Sequence, residues 1–189
     1  MRALYLMRHS LTEANERHLY GGSTDLPLTE RGRELAQERR GAVPECGVYV
    51  SSGMVRANET LYLMTGHKAD AVLPQLREMD FGAFELRGYE ELKDVPEYVA
   101  WIGDETGETP CPGGETTREF RERVLDGGEE LLALRGDTAC AVCHGGVIVN
   151  LMGAWFPGEN RNFYYWQPAA CRGYRIVIQD GRPASFEEV

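Results

Sequence analysis

The chain has 189 residues, 42% of them hydrophobic, a formal net charge of −10 at pH 7 and five cysteines. That is enough apolar material for one substantial core, and it predicts one domain over 1–189 with a lid-like insertion at about 81–115. The acidic balance argues against sequence-independent nucleic-acid binding and anionic membrane surfaces, which favour basic patches, and no leader pattern or long apolar run is present, so a cytoplasmic protein is expected.

The first predicted element is a buried parallel strand over the five apolar residues Ala3 to Met7. It runs straight into a charged loop, Arg8-His9-Ser10-Leu11-Thr12-Glu13-Ala14-Asn15. Open α/β sheets place ligands at the carboxyl ends of such strands. Arg offers a planar, permanently charged fork matched to phosphate oxygens, and a neutral imidazole beside it can attack phosphorus. Taken alone, an Arg-His pair is equally a solvated surface pair. Tyr20 to Asp25 is a loop, after which Thr29 caps a helix through about Arg40 that ends at Gly41. Val48 to Ser51 is a second strand, and Met54 to Thr65 a helix closed by Gly66. A short edge strand is expected within Leu73 to Asp80, since Pro74 makes a central one unfavourable.

The stretch from Phe81 to Glu115 is irregular, rich in Gly, Pro and acids, with one helical pattern around Tyr89 to Ile102. Thr116 and Glu119 form a capping box for a helix through Leu134, although Gly127-Gly128 interrupt its pattern. Thr138 to Cys143 is a third central strand ending at His144-Gly145-Gly146, and Val147 to Trp155 an apolar helix. Gly173 to Ile178 and Arg182 to Phe186 close the chain as a hairpin across Asp180-Gly181. The alternation predicts an α/β fold, a three-layer αβα sandwich with a mostly parallel central sheet. Cys46, Cys111, Cys140, Cys143 and Cys171 are expected as reduced thiols. Cys140 and Cys143 spell C-x-x-C but lie in a strand, where residues three apart point to opposite faces, which disfavours a redox or zinc pair.

Three strands thus end in residues suited to phosphate work: Arg8 and His9, the Ser52 to Arg56 turn, and His144 with a helix N-terminus beside it. The motifs around them, in order, are R-H-x-x-T-x-x-N from Arg8, P-L-T-x-x-G from Pro27, S-S-x-x-x-R-A-x-x-T from Ser51, L-x-E-x-x-F-G from Leu76, P-G-G-E from Pro112 and H-G-G from His144. Together they resemble the histidine phosphatase superfamily of phosphoglycerate-mutase-like proteins. The resemblance implies a phosphohistidine formed on His9, phosphoryl oxygens held by Arg8, Arg56 and His144, and Glu78 as proton donor. It also implies that Thr12, Asn15, Gly22, Ser23 and Gly145 lie near the substrate, and that neither a cofactor nor a metal is required. Asp80 and Glu85 are close enough to Glu78 to take its role, Arg56 could instead pair with Glu59 on its own helix, and His144 could be satisfied within a strand end.

Two positions depart from the family pattern. Ser10 stands where most relatives have Gly after the nucleophile, so either its φ is negative or the loop is reshaped. Leu86 stands where they tend to have Gly after the acid of F-G-x-x-E, so the insertion is expected to leave the core along a different path. The family's two outcomes are transfer of the phosphoryl group to water and transfer to a second hydroxyl. The 81–115 stretch holds only Arg87 and Lys93 as cations among many acids, which suits a substrate whose far end is neutral or apolar. Tyr20, Phe84, Tyr89, Tyr98 and Trp101 are candidates for that surface, although aromatics at helical spacing are as often core. A small-molecule phosphomonoester hydrolase is therefore expected. Leu19 to Gly22 is similar to the same stretch of α-ribazole-phosphate phosphatases. A cofactor-dependent phosphoglycerate mutase and a non-catalytic phospho-ligand or protein-binding module are the alternatives.

Overall fold

A computed structural model describes residues 2–159 and 162–189. Strand β1 (Ala3–Arg8) buries Leu4 and Leu6 on one face and Tyr5 and Met7 on the other, as expected of a strand covered on both sides. The chain then forms α1 (Glu13–Glu16), α2 (Glu30–Glu38), β2 (Val48–Ser51), α3 (Val55–Thr65) and β3 (Ala71–Val72). Next come α4 (Tyr89–Leu92), α5 (Pro96–Ile102), α6 (Thr117–Ala133), β4 (Thr138–Cys143), α7 (Gly145–Trp155), α8 (Phe163–Trp166), β5 (Gly173–Gln179) and β6 (Arg182–Glu188). The six strands form one sheet in the order β3-β2-β4-β1-β5-β6. Neighbours among β1 to β4 run parallel, while β5 pairs antiparallel with β1 and with β6.

One apolar cluster gathers Leu4, Leu6, Val50, Ala141 and Cys143 against α6, α7 and the 81–115 segment. The other gathers Tyr5, Met7, Tyr49, Cys140 and Val142 against α2 and α3. This is the expected three-layer α/β arrangement. It also puts Cys140 and Cys143 on opposite faces, each a free buried thiol. No described helix is long and apolar enough to cross a membrane.

Several boundaries differ from the sequence expectation for local reasons. The edge strand is Ala71–Val72, not within 73–80: Leu73 N–H makes a bond to Ser51 O, and Pro74 then opens a 3-10 turn over Pro74–Leu76. The Tyr89 to Ile102 pattern is two helices, because Pro96 holds Val95 extended at φ −81°, ψ 120° and starts α5 afresh. Helix α7 begins two residues early, with His144 itself as its N-cap. The last two strands run on to Gln179 and Glu188 across a turn in which Asp180 and Gly181 both have positive φ.

Helix α6 is continuous through Gly127-Gly128. A Cβ at Gly127 would sit 2.8 Å from Gln75 Cβ, and one at Gly128 2.6 Å from Leu151 Cδ2. The missing side chains let α6 lie directly on the Pro74–Leu76 turn and on α7, a packing demand that outweighs helix propensity. The 81–115 segment is fastened to the same core: Phe84 and Tyr98 are each 1% exposed, and Leu92 and Cys111 are buried beside them.

Candidate active site

The carboxyl ends of β1, β2 and β4 are adjacent in the sheet, so the residues that follow them meet. The rings of His9 and His144 lie 5.0 Å apart, centre to centre. His9 is buried, and its Nδ1 is 2.6 Å from the carbonyl oxygen of Ser10. A carbonyl only accepts, so the proton is on Nδ1 and Nε2 keeps its lone pair. Burial, then the charges of Arg56 and Arg8, hold His9 well below the usual imidazole range, so the ring is neutral.

Ser10 does not occupy the left-handed region. Its N–H donates to Thr60 Oγ1 at 2.9 Å, and its hydroxyl donates to Gly32 O at 2.6 Å. The Ser10 side chain thus ties the loop after β1 to the start of α2. Thr12 caps α1 in a reciprocal box with Asn15, whose Oδ1 accepts from the Thr12 N–H and hydroxyl. The Asn15 amide N–H2 group therefore remains a donor beside the cavity that Arg8, His9, Leu11 and His18 also line, about 300 Å³ in volume.

Arg56, in the first turn of α3, is 2% exposed and does not pair with Glu59, which instead meets Arg33. Its Nη2 donates to Gly22 O at 2.7 Å and its Nη1 to Thr24 O at 3.0 Å, while Nε donates to His144 Nδ1 at 3.3 Å. Three of its five N–H groups are spent on the protein, leaving one on each terminal nitrogen. Since Arg56 can only donate, His144 carries its proton on Nε2 and gives it to Ser52 Oγ at 2.8 Å. Burial and the neighbouring His9 keep His144 neutral as well. Both ring nitrogens of His144 are thereby engaged, so donating to a phosphoryl oxygen requires the Ser52 contact to give way. Arg8 donates from Nη1 to Pro168 O at 2.8 Å, and its buried Nε has no partner among the described residues.

The three acids named above occupy different settings. Glu85 accepts from the backbone N–H groups of Gly22, Ser23, Thr24 and Phe81, so it clamps the 22–24 loop. Asp80 accepts from the Ser23 hydroxyl and Gly82 N–H. Glu78 reaches the start of α7, where its Oε2 accepts from Gly146 N–H at 3.0 Å, two residues from His144. A Cβ at position 146 would stand 2.5 Å from Glu78 Oε1, so glycine is what allows that approach. Gly145, the first residue of α7, packs against Gln167. Glu78 also lines an open cavity of about 530 Å³ with Ser23, Met54, Arg77, Asp80 and Arg123.

A backbone carbonyl holding the His9 tautomer is foreseeable from the chemistry of an attacking imidazole, but that it is Ser10 is not; sequence reasoning missed the Pro168 carbonyl, which carries no side-chain signal, and the contact of Ser52 with His144. Among the proposed aromatics, Phe84 and Tyr98 are core, and the Tyr20 hydroxyl is spent on Tyr98 at 2.7 Å. Leu86 adopts φ +57°, a backbone conformation that favours glycine, with its side chain accommodated there.

A family model of the histidine phosphatase superfamily (branch 1) matches residues 4–187. The chain belongs to that superfamily. It is 35% identical over 127 residues to the adenosylcobalamin/alpha-ribazole phosphatase of Escherichia coli K12, a match covering 64% of this chain and 62% of the relative, so the aligned part spans under two thirds of that protein. A crystal structure of a candidate alpha-ribazole-5'-P phosphatase from Escherichia coli K-12 superposes with a TM-score of 0.85 at 27% identity, covering 97% of this chain and 93% of that one. A phosphoglycerate mutase from Thermus thermophilus superposes with a TM-score of 0.75 at 30% identity, covering 97% of each chain. Both outcomes of the family's chemistry are thus represented among its relatives.

Proposed function

We propose that this histidine phosphatase superfamily member hydrolyses small-molecule phosphomonoesters through a phosphohistidine on His9. The observation that carries the reading is the tautomer of His9: a neutral ring, fixed by the Ser10 carbonyl, offers Nε2 beside two arginines with unspent donors. In the first step Nε2 bonds to phosphorus, the P–O ester bond breaks, and the Glu78 carboxyl gives its proton to the departing alcohol. In the second, Glu78 takes a proton from water, the new P–O bond forms, the N–P bond breaks, and inorganic phosphate leaves. Arg8 and Arg56 hold the oxygens that carry negative charge throughout, with Asn15 as a further donor, and Thr12, Gly22, Ser23 and Gly145 shape the rim.

Water is favoured over a second hydroxyl as acceptor because acids outnumber cations around Glu78, which leaves little grip for a second anionic group. In the 81–115 segment Lys93 is paired with Glu90, and Arg87 donates to the Glu91 carbonyl. The cavity that Glu78 lines carries Asp25, Asp80 and Glu115 as well, against the two cations Arg77 and Arg123. The substrate class is a phosphomonoester whose remaining part is uncharged or cationic. Alpha-ribazole-5'-phosphate, for which some of the relatives are named, is a candidate to be tested first.

The test is turnover of p-nitrophenyl phosphate in the presence of a chelator, with trapping of the phosphoenzyme. The expected result is hydrolysis through an acid-labile phosphoenzyme, both lost at least ~10³-fold in His9→Ala. Phosphate binding without turnover would identify a binding module. Bisphosphate-dependent interconversion of 3- and 2-phosphoglycerate at a rate above hydrolysis would identify a mutase.

A further inference from the structure

Glu78 sits on a stretch of chain with little regular structure of its own. After the 3-10 turn Pro74–Leu76 the backbone runs extended through Arg77, so no ladder or helix fixes the residue that must present a carboxyl to the reacting ester. What does reach this stretch is one side chain from α6. Arg123 donates from Nη1 to Gln75 O at 2.8 Å and to Arg77 O at 3.0 Å, and from Nη2 to Glu78 O at 3.2 Å. Its remaining donors form a two-pronged pair with Glu115, Nε to Oε1 at 2.7 Å and Nη2 to Oε2 at 2.8 Å. All five N–H groups are thereby spent inside the protein. Although Arg123 lines the cavity, it has none left for a ligand.

Glu115 continues the frame. Its Oε2 also accepts from Asp80 N–H at 2.9 Å, and its own N–H donates to Asp80 O at 2.9 Å. Carbonyls 75, 77, 78 and 80 and one N–H of the same stretch are therefore bound by two residues that grip each other. The pair is only partly exposed, at 27% and 21%, and the guanidinium carbon lies 5.2 Å from the centre of the Phe120 ring. A bidentate pair of this kind fixes direction as well as distance, which a lysine cannot do.

We infer that Arg123 and Glu115 are positioning residues for the acid: a strut from α6 and the P-G-G-E turn that sets the Glu78 carboxyl against the start of α7 and the leaving oxygen. The inference rests on the reading of Glu78 as proton donor and adds the device that aims it. Both act through Glu78.

The signature of a misaimed acid is dependence on the leaving group. p-Nitrophenolate departs without a proton, whereas the alkoxide of β-glycerophosphate needs one, and kcat/KM reports the step in which the ester bond breaks. In Arg123→Lys, Arg123→Gln and Glu115→Gln, kcat/KM for β-glycerophosphate should fall about tenfold or more beyond the loss on p-nitrophenyl phosphate. Arg123→Lys should not rescue Arg123→Gln, because the fork and not the charge is what acts. Glu78→Gln is the reference and should show the same selectivity, about 10²-fold or more. If Glu78→Gln harms both esters equally, the proton-donor reading fails and the strut with it. If Glu78→Gln is selective while the Arg123 and Glu115 variants lose both esters equally, lose neither, or are restored by lysine, the strut alone is overturned. Melting temperatures accompany each variant. Should Arg123→Gln fail to fold, Glu115→Gln, which keeps the Arg123 bonds to the three carbonyls, decides the matter by the same ratio.

Discussion

Two stretches of chain meet at the site, and they are held in different ways. His9, His144 and the Ser52 to Arg56 turn follow strands β1, β4 and β2, whose parallel ladders bring their carboxyl ends side by side. Their positions come from backbone hydrogen bonds and from a core buried on both faces of the sheet. The stretch from Leu73 to Glu115, which carries Glu78, has almost no ladder of its own: besides its buried Phe84, Leu92, Tyr98 and Cys111, it is held by side-chain bonds, from Arg123 to the backbone under Glu78, from its own Glu115 to Asp80, and from its own Glu85 to the 22–24 loop. The groups proposed to bind and attack phosphorus follow the strands of the sheet, whereas the proposed proton donor hangs beside it on side-chain bonds that single substitutions can remove.

The sharpest way to break that comparison is Arg56, which belongs to the first stretch yet holds down the 22–24 loop that meets the second. Arg56→Met removes a donor from the phosphoryl site and leaves the Gly22 and Thr24 carbonyls without their partner. We expect kcat/KM for p-nitrophenyl phosphate to fall about 10²–10³-fold, and urea unfolding to show a loss of about 2–4 kcal/mol. A loss of activity with stability intact would mean that Glu85 alone secures the loop and that the two stretches are independent.

The second prediction concerns the sheet-borne stretch alone. His9 and His144 are held neutral in the folded protein, by burial first and then, for His9, by Arg56 and Arg8. Their pKa values are therefore lower folded than unfolded, and below about pH 6.5 the unfolded chain takes up protons that the native state refuses. Stability from this source is complete above that pH and is lost as the pH falls toward the folded values, by up to about 1.4 kcal/mol per pH unit for each histidine. Urea unfolding between pH 7 and pH 5 measures the slope, and His9→Asn should reduce it by about one histidine's share. An unchanged slope would place the imidazole in a setting that accepts a proton, contrary to the role proposed for it as nucleophile.

The same contrast explains what could be read in advance. The strand runs Ala3 to Met7, Val48 to Ser51 and Thr138 to Cys143 are short, apolar and each followed by a polar residue type, so both the sheet and the convergence of Arg8, His9, Arg56 and His144 were visible in the linear pattern. The edge strand and the split of the Tyr89 to Ile102 helix were not. The first is limited by the pairing of Leu73 with Ser51 just ahead of Pro74, a partner distant in sequence, whereas the second is a local break at Pro96 that the helical spacing of the apolar residues on either side conceals. Glu78 could be singled out by motif but not separated from Asp80 and Glu85, because what separates them is which backbone N–H groups each one faces. The Arg123 contacts lie between residues 45 to 48 positions apart, a relation that no local periodicity encodes. Ser10 and Leu86 show the same limit, since a departure from family pattern gives no sign of whether the backbone or the side chain will accommodate it.

Leu86 supplies the smallest expected effect and the finest probe of the second stretch. Its φ of +57° is a conformation that side chains with a Cβ rarely adopt, and its N–H is committed to Tyr20 O at 2.7 Å, so the turn cannot relax without losing that bond. At 42% exposure the leucine gains little from burial. Leu86→Gly removes strain of about 1 kcal/mol or more and adds freedom to the unfolded chain worth somewhat less, so a net gain of up to about 1 kcal/mol is expected in urea unfolding. Because the turn lies beyond the Glu115 and Arg123 frame, the ratio of kcat/KM for β-glycerophosphate to that for p-nitrophenyl phosphate should stay unchanged. A stabilised protein with a shifted ratio would mean that the aim of Glu78 is set from the base of the 81–115 segment as well as from α6, and the second stretch would then behave as one mechanical unit.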